Sequence, residues 1–506
     1  MKKLFQNQNA WLWVIFVLLA VNVVTMDLYT SVWTDEVTYT QPAANAYLGM
    51  GFTSSAWSSQ SKDTFWVSNV PLYPLLLWAW FKIAGFGIFQ TRILDYFLWS
   101  LAVLFFCLAA RCLGWVRTTW GLSLLAALSL LGSGVTFSFR SGRYDPLAVL
   151  LVCFCLLAFS FRRPAWRYST ILVTCAFFLP AYLTLGPLCA LMMGLVWLTT
   201  GGKYVRELIA MGMGLIIGFG GLYVFYQHFG VWDDFLRAIR LNSQNYYNHD
   251  AFRQVHVGLG TLIMRKLAAS ITVLFKDRES VLLMLATVLP LAVMHKREVS
   301  AGHAKLIPFV LLVFFAIPIG LLLAFAFPIY YWWMRYLPLC VAFVISAETM
   351  HRLGHVTIRN ILIFGGIGLV SALGLPARLL SSSLDLSERN YSKVEYFVNN
   401  SIKETDVVYA DCQVFYPLQR LRTQTYYPLY LVRMTPAEAA TINCLVVDPA
   451  EAPDLEKRFG GVWMATGQEY LHPERFGIAL LDRFLPNYFK SQTNRKYNLA
   501  IYRKIR

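Results

Sequence analysis

The stretch Thr34-Asp35-Glu36-Val37-Thr38-Tyr39 follows a first apolar run, Trp11 to Leu28, and sets two adjacent carboxylates at the mouth of that run. A charged carboxylate inside hydrocarbon is costly, so Asp35 and Glu36 belong at an interface or in a wet cavity. Their mutual repulsion suits one of them for acid or base work. An Asp at this position also reads as a helix cap, its oxygen accepting from an orphan backbone N–H. Both readings stand on the stretch alone.

The surroundings are those of a polytopic membrane protein. The chain is 57 % hydrophobic and 14 % charged, where soluble domains run at roughly a quarter charged. Its apolar runs recur near the ~20 residues that span a bilayer. The net charge of +16 would suit nucleic acid, but the basic residues cluster in short loops between apolar runs. That is the positive-inside bias together with attraction to anionic lipid, and no nucleic-acid partner is expected. Lys2 and Lys3 precede a run with no small-residue cleavage site, which reads as an uncleaved first span with a cytoplasmic N-terminus. Of nine cysteines, seven lie in or beside apolar runs and none has metal-finger spacing. Cys412 and Cys444 share the C-terminal polar region, and whether they pair is open.

In order along the chain, residues 30–70 read as a polar, aromatic first external loop, and Pro71 to Ile88 as a juxtamembrane helix. Spans follow at Thr91–Ala110, Trp120–Phe137, Leu147–Phe161, a hairpin of Tyr168–Leu185 and Pro187–Thr199, Leu208–Tyr226, Val281–Met294, Leu306–Phe327, Leu337–Ser346 and Ile361–Leu375. Gly258 to Phe275, within an external segment, reads as amphipathic. Basic loops at Arg111 and Arg117, Arg162 to Arg167, Lys203 and Arg206, His295 to Arg297, and His351-Arg352 alternate with polar ones, which gives about eleven spans. Residues 1–379 form the membrane domain. Residues 380–506 read as a soluble α/β domain outside the cytoplasm, with a helix at Val394–Asn399 and strands at Asp406–Tyr409, Cys444–Asp448 and Tyr497–Tyr502. The expected location is the inner (plasma) membrane, with this domain periplasmic or extracellular.

Three polar constellations converge on the outer face: Asp35 with Glu36; Arg140, Arg143 and Asp145; and Tyr330-Tyr331-Trp332-Trp333-Met334-Arg335-Tyr336. Each has a plainer reading, as cap, surface ion pair or aromatic belt. Together they suit transfer from a lipid-linked phosphate donor, with carboxylates as base, arginines forking phosphate and aromatics stacking on sugar or lipid.

The order of four motifs resembles the polyprenyl-phosphate-dependent glycosyltransferases of the type C fold, in the branch of the aminoarabinose transferases and protein O-mannosyltransferases. The matching residues are Asp35-Glu36 with Tyr39, Pro71-Leu72-Tyr73, Arg143-Tyr144-Asp145 and Arg335-Tyr336-Leu337-Pro338. The resemblance covers residues 10 to about 380. It implies an inverting single displacement with Asp35, beside Glu36, as the catalytic acid–base pair. It implies substrate contacts from Asp145, Arg143, Arg140, Tyr39, Tyr73 and Tyr331, and a donor phosphate held by Arg335. Where the family often has Lys-Pro-Pro-Leu, this chain has Asn69-Val70-Pro71-Leu72, and Lys62 or Arg92 is the replacement cation. Leu183-Thr184-Leu185-Gly186-Pro187 likewise lacks the family's lysine, and Thr38 stands where a basic residue is usual. No cofactor is required, though a divalent cation near Asp35 or Asp145 is compatible. The implied partners are the bilayer, a polyprenyl-phosphate sugar donor and a glycan, glycolipid or protein acceptor. A secondary transporter and a polysaccharide ligase or polymerase are the rival readings; the chain shows neither clear repeat symmetry nor a large external loop late in the membrane part.

Overall fold

A computed structural model describes residues 9–28, 30–186, 189, 204–247, 264, 268, 278–294, 306–324, 329–354, 358–383, 386–471 and 497–505. The second arm of the expected hairpin, Pro187–Thr199, the segment Gly258–Phe275 apart from two residues, and the basic loop His295–Arg297 lie outside the described residues.

The first helix, α1 (Ala10–Val24), is followed within ten residues by α2 (Thr34–Tyr47). Residues 30–70 are therefore not all loop, as expected from their polarity. Helix α2 is polar and yet buried, with Glu36, Thr38, Gln41 and Asn45 facing inward. Trp33, extended at φ −142°, occupies the cap position, so Asp35 is a first-turn residue and not the cap. A carboxylate there is favoured by the positive end of the helix dipole. Pro42 lies inside α2 and has no N–H for the Thr38 carbonyl one turn back. The Trp57 indole takes its place, donating to Thr38 O at 2.8 Å. The Gln41 side chain accepts from Ser54 Oγ at 2.7 Å and Ser55 N at 2.9 Å, which pins the following loop to the helix.

Next come α3 (Leu72–Ala84), α4 (Ile88–Cys112), α5 (Thr119–Leu131), α6 (Ser133–Arg140), α7 (Asp145–Ala158) and α8 (Pro164–Ala176). They are followed by α9 (Val205–His228), α10 (Trp232–Tyr247), α11 (Arg278–Met294), α12 (Leu306–Ala324), α13 (Trp333–Arg352), α14 (Ile358–Ala372) and α15 (Gly374–Ser383). Among the described residues, α4 and α9 are each long and apolar enough to cross a membrane, and two bent pairs bring the number to four. Helix α1 is shorter than the span read at Trp11–Leu28, whereas α11 and α13 are longer than the spans read at Val281–Met294 and Leu337–Ser346. Helix α9 exposes Ile209, Met213, Ile216, Ile217, Phe219 and Val224, an apolar surface suited to lipid rather than water.

Both bends depend on close backbone approach. Helices α5 and α6 meet at 57°, broken at Gly132, and the α14–α15 pair bends by 53°. The two breaks touch: a Cβ on Gly374 would run into the Ser133 backbone, and one on Gly132 or Gly134 into the Tyr336 ring. Tyr336 Oη donates to Ser371 O at 2.9 Å, and the orphan Ser133 N–H that opens α6 donates to Glu279 Oε2 at 3.0 Å. The bend aims the C-terminal end of α6 at α1. There the Arg140 guanidinium donates to Asn22 Oδ1 at 2.5 Å and to Thr25 O at 2.6 Å, satisfying carbonyl and amide oxygens at the helix end.

The C-terminal part begins with α16 (Tyr391–Ser401) and builds β1 (Val407–Ala410), α17 (Phe415–Arg420), β2 (Gln424–Tyr426), β3 (Cys444–Val447), β4 (Trp463–Tyr470) and β5 (Leu499–Lys504). The sheet order is β2-β1-β3-β5-β4. Strand β1 pairs in parallel with β2 and β3, while β5 is antiparallel to β3 and β4. Side chains alternate between two cores, as the pleat requires. Tyr409, Leu445 and Val447 point into one with Tyr426 and Phe459. Val408, Ala410, Cys444 and Val446 point into the other, which also holds Val32 from the stretch before α2, Val37 and Ala44 from α2, and Ile88 from α4. That second core fastens the sheet to the helix carrying Asp35. Cys412 and Cys444 are both free thiols.

The contact between the two breaks gives a direct test. Gly374→Ala should lower unfolding stability by about 1–3 kcal/mol, the range for overpacking. Gly365→Ala, where a Cβ meets open space, should be neutral or slightly stabilising, both read by thermal unfolding in detergent.

Candidate active site at the Asp35 helix

Arg143 is the centre of the site. Its Nε donates to Asp145 Oδ2 at 2.7 Å, and its Nη1 donates to Asp35 Oδ2. The guanidinium lies 3.7 Å from the Tyr330 ring centroid and within about 6 Å of the rings of Trp33, Tyr39, Tyr144 and Tyr331. Asp145 is saturated: besides Arg143, its Oδ1 accepts from Tyr182 Oη at 2.9 Å and from Trp333 Nε1 at 3.0 Å. The side chains of Arg143 and Asp145 are 1 % and 0 % exposed, whereas that of Asp35 is 22 % exposed. Asp35 is thus the acid of the cluster that an incoming molecule can touch.

The turn between α6 and α7 brings Arg143 to α2. Thr30 Oγ1 donates to Arg140 O at 3.1 Å and Trp33 Nε1 to Ser141 O at 2.8 Å. Gly142 adopts φ +63°, and a Cβ there would run into the Glu36 side chain, so the turn needs glycine for both conformation and space.

A second network lies beneath. Arg92 forks Glu36, Nε to Oε1 at 2.9 Å and Nη2 to Oε2 at 2.8 Å, and its Nη1 donates to Met26 O at 2.9 Å. Tyr416 Oη, from α17, donates to Glu36 Oε1 at 2.9 Å. Glu36 and Arg92 are both fully buried. One turn along α4, Asp95 accepts from Tyr73 Oη at 2.8 Å. Its other oxygen is buried with no hydrogen-bond partner among the described residues.

These surroundings sort the residues singled out in the sequence. Asp35, Arg143, Asp145, Tyr39 and Tyr331 come together around one guanidinium. Tyr39 Oη also accepts from Asn69 Nδ2 at 3.1 Å. Glu36, expected beside Asp35 as an acid–base group, has both oxygens engaged and no exposure, which suits it to holding α2. Arg92 faces Glu36, and Tyr73 faces Asp95. Arg140 faces the end of α1, and Lys62 pairs with Asp63 at 2.9 Å. Burial opposes the Lys62 charge, but the Asp63 carboxylate outweighs it and holds the ammonium above its ordinary pKa. Arg335 is fully buried on α13 with its guanidinium 4.9 Å from the Phe314 ring centroid, inside the bundle rather than snorkelling at its rim.

Trp333 belonged to the quoted aromatic run, whereas Tyr182, Tyr416 and Asp95 were not singled out: Tyr182 and Asp95 sit inside stretches read as spans, and Tyr416 in a stretch where no element was read. A divalent cation does not fit between Asp35 and Asp145, because the Arg143 guanidinium already holds that place. Among the described residues no group of three or more His, Cys, Asp or Glu side chains could hold a metal ion.

No protein-family model matches the sequence, and no curated protein does. Solved structures do match. ArnT from Cupriavidus metallidurans bound to undecaprenyl phosphate aligns with TM-score 0.55 at 10 % identity, over 98 % of each chain. The same protein in its apo state aligns with TM-score 0.56 at 10 % identity, over 97 % of each chain. The Archaeoglobus fulgidus oligosaccharyltransferase, tethered to an acceptor peptide, gives TM-score 0.48 at 10 % identity over 89 % of this chain and 70 % of its own. This chain has the fold of ArnT. The type C glycosyltransferase fold therefore extends from the apolar helices through the terminal sheet, with α2 and its two acids in the first connection.

The ion cluster predicts its own response to dissection. Arg143→Met leaves Asp145 buried without a counter-charge and should destabilise by about 3–5 kcal/mol. Adding Asp145→Asn should recover part of that loss, and thermal unfolding of the single and double variants measures the coupling.

Proposed function

We propose that this protein is an integral-membrane glycosyltransferase that moves a sugar from a polyprenyl-phosphate donor to an acceptor outside the cytoplasm. The observation that carries the proposal is the pairing of Asp35, open to an incoming group, with a buried Arg143–Asp145 ion pair, in the fold of an enzyme solved with undecaprenyl phosphate. Residues 380–506 share a core with the helix bearing Asp35, so both belong on one side of the membrane. The alternation of basic loops makes that side the outer one, with the N-terminus cytoplasmic, in the inner (plasma) membrane.

In this proposal Asp35 takes the proton of an acceptor hydroxyl or amine as that atom attacks the anomeric carbon. The new glycosidic bond forms while the bond to phosphate breaks, with inversion, and the polyprenyl phosphate leaves carrying the electron pair. Arg143 donates to the Asp35 carboxylate and aims it, and Tyr39, Tyr330 and Tyr331 supply flat walls for a sugar. We assign the donor phosphate to Arg335, on the helix that also carries Trp333, because a guanidinium can fork two phosphate oxygens and the resemblance places the phosphate ligand at this Arg-Tyr-Leu-Pro motif.

Asp35→Asn should keep expression and fold while lowering transfer by about 100-fold or more, the usual contribution of a general base. Retention of turnover within about tenfold, roughly 1.4 kcal/mol, would refute the assignment. Arg335→Ala should weaken binding of undecaprenyl phosphate by about 1.5–3 kcal/mol, and Arg335→Lys should recover part, since lysine offers a point charge in place of a fork. Equal affinities in wild type and both variants, titrated on purified protein, would remove Arg335 from the site.

A further inference from the structure

We propose that the C-terminal domain completes the active site by positioning Asp35, and that Tyr416 is the positioning residue. This rests on the reading of Asp35 as the base.

Both chain neighbours of Asp35 are gripped by the C-terminal domain. On one side, Cys412 Sγ donates to Thr34 Oγ1 at 3.7 Å. On the other, Tyr416 Oη donates to Glu36 Oε1 at 2.9 Å. Burial, with the Glu36 carboxylate adding to it, pushes the Tyr416 phenol well above its ordinary pKa, so it stays a donor. Burial likewise holds Cys412 as a thiol. Tyr416 is fully buried and its ring packs 5.5 Å from that of Phe86, which fixes where the hydroxyl points. Further along, Ser55 Oγ donates to Thr425 O at 2.6 Å, and Ser55 is bonded by Gln41 of α2 at 3.0 Å. The first turn of α2 therefore sits between Arg143 on one side and the terminal domain on the other.

The chemistry asks for such a hold. Asp35 has one strong anchor, Arg143, and a carboxylate anchored at one point can rotate. Arg92 fixes Glu36 from α4, and Tyr416 supplies the second direction, so that α2 cannot roll and turn Asp35 away from the acceptor. A misplacement near 1 Å at a reacting group is enough to slow a reaction by orders of magnitude.

The test uses the full-length protein and Tyr416→Phe, which removes the hydroxyl and keeps the ring. Amide hydrogen exchange of peptides from residues 34–47 should accelerate at least fivefold in the variant. Peptides covering β1 and β3 should be unchanged, which shows the domain still folded. With undecaprenyl-phosphate-linked aminoarabinose as donor probe, kcat should fall at least tenfold while the donor KM stays within twofold. Unchanged exchange in residues 34–47, or a kcat within twofold of wild type, would overturn the proposal. Because exchange is read without turnover, an Asp35→Asn protein that kept its activity would sink the base assignment alone.

Discussion

An ionised carboxylate is not stable inside an apolar bundle unless a cation lies against it, and the architecture is arranged around that requirement. Glu36 is forked by Arg92, and Asp145 and Asp35 share Arg143. Each arginine lies far along the chain from the acid it holds on α2, Arg92 by 56 residues from Glu36 and Arg143 by 108 from Asp35. Arg92 opens the long helix α4, and Arg143 follows the broken pair α5–α6. The break at Gly132 bends the chain towards α1, and the Ser141-Gly142 turn then delivers Arg143 to α2. The ion pairs add to an apolar core shared by these segments, in which Tyr39 packs on Tyr144, and to the packing of Trp33 on Phe137.

The two pairs have different surroundings, and this divides their work. Glu36 and Arg92 exclude water entirely and satisfy each other with near-ideal geometry. A pair of that kind gains little net stability over apolar packing but fixes register strongly. The Arg143 cluster is asymmetric: Asp145 takes three donors, whereas Asp35 keeps access to the outside. Asymmetry of this sort leaves one acid reactive while its neighbour only holds the cation in place.

Much of this was legible in the sequence. The Arg143-Tyr144-Asp145 turn and the acids after the first apolar run were expected on one face, and they meet. Strands β1 and β3 announced themselves by short runs rich in Val, and the tail at Tyr497–Tyr502 was also read as a strand. Strand β2 has three residues and β4 is a largely exposed strand interrupted by Gly467, so neither carries a period-two apolar signal. Helix α2 was hidden because its inward face is polar, held by hydrogen bonds and ion pairs where periodicity looks for apolar residues. The partners of Glu36 were invisible because they lie 56 and 380 residues away, a distance over which no local pattern speaks.

That last separation has a consequence for how the protein is made. With chains growing at about 5–20 residues per second, residue 416 follows residue 36 by roughly 20–75 s. Arg92, 56 residues after Glu36, is synthesised early in that interval, whereas the hydroxyl that steadies the helix comes only at its end. The centre is therefore assembled last, after every membrane helix has been laid down, and a chain truncated before α17 carries its acids without the means to aim them.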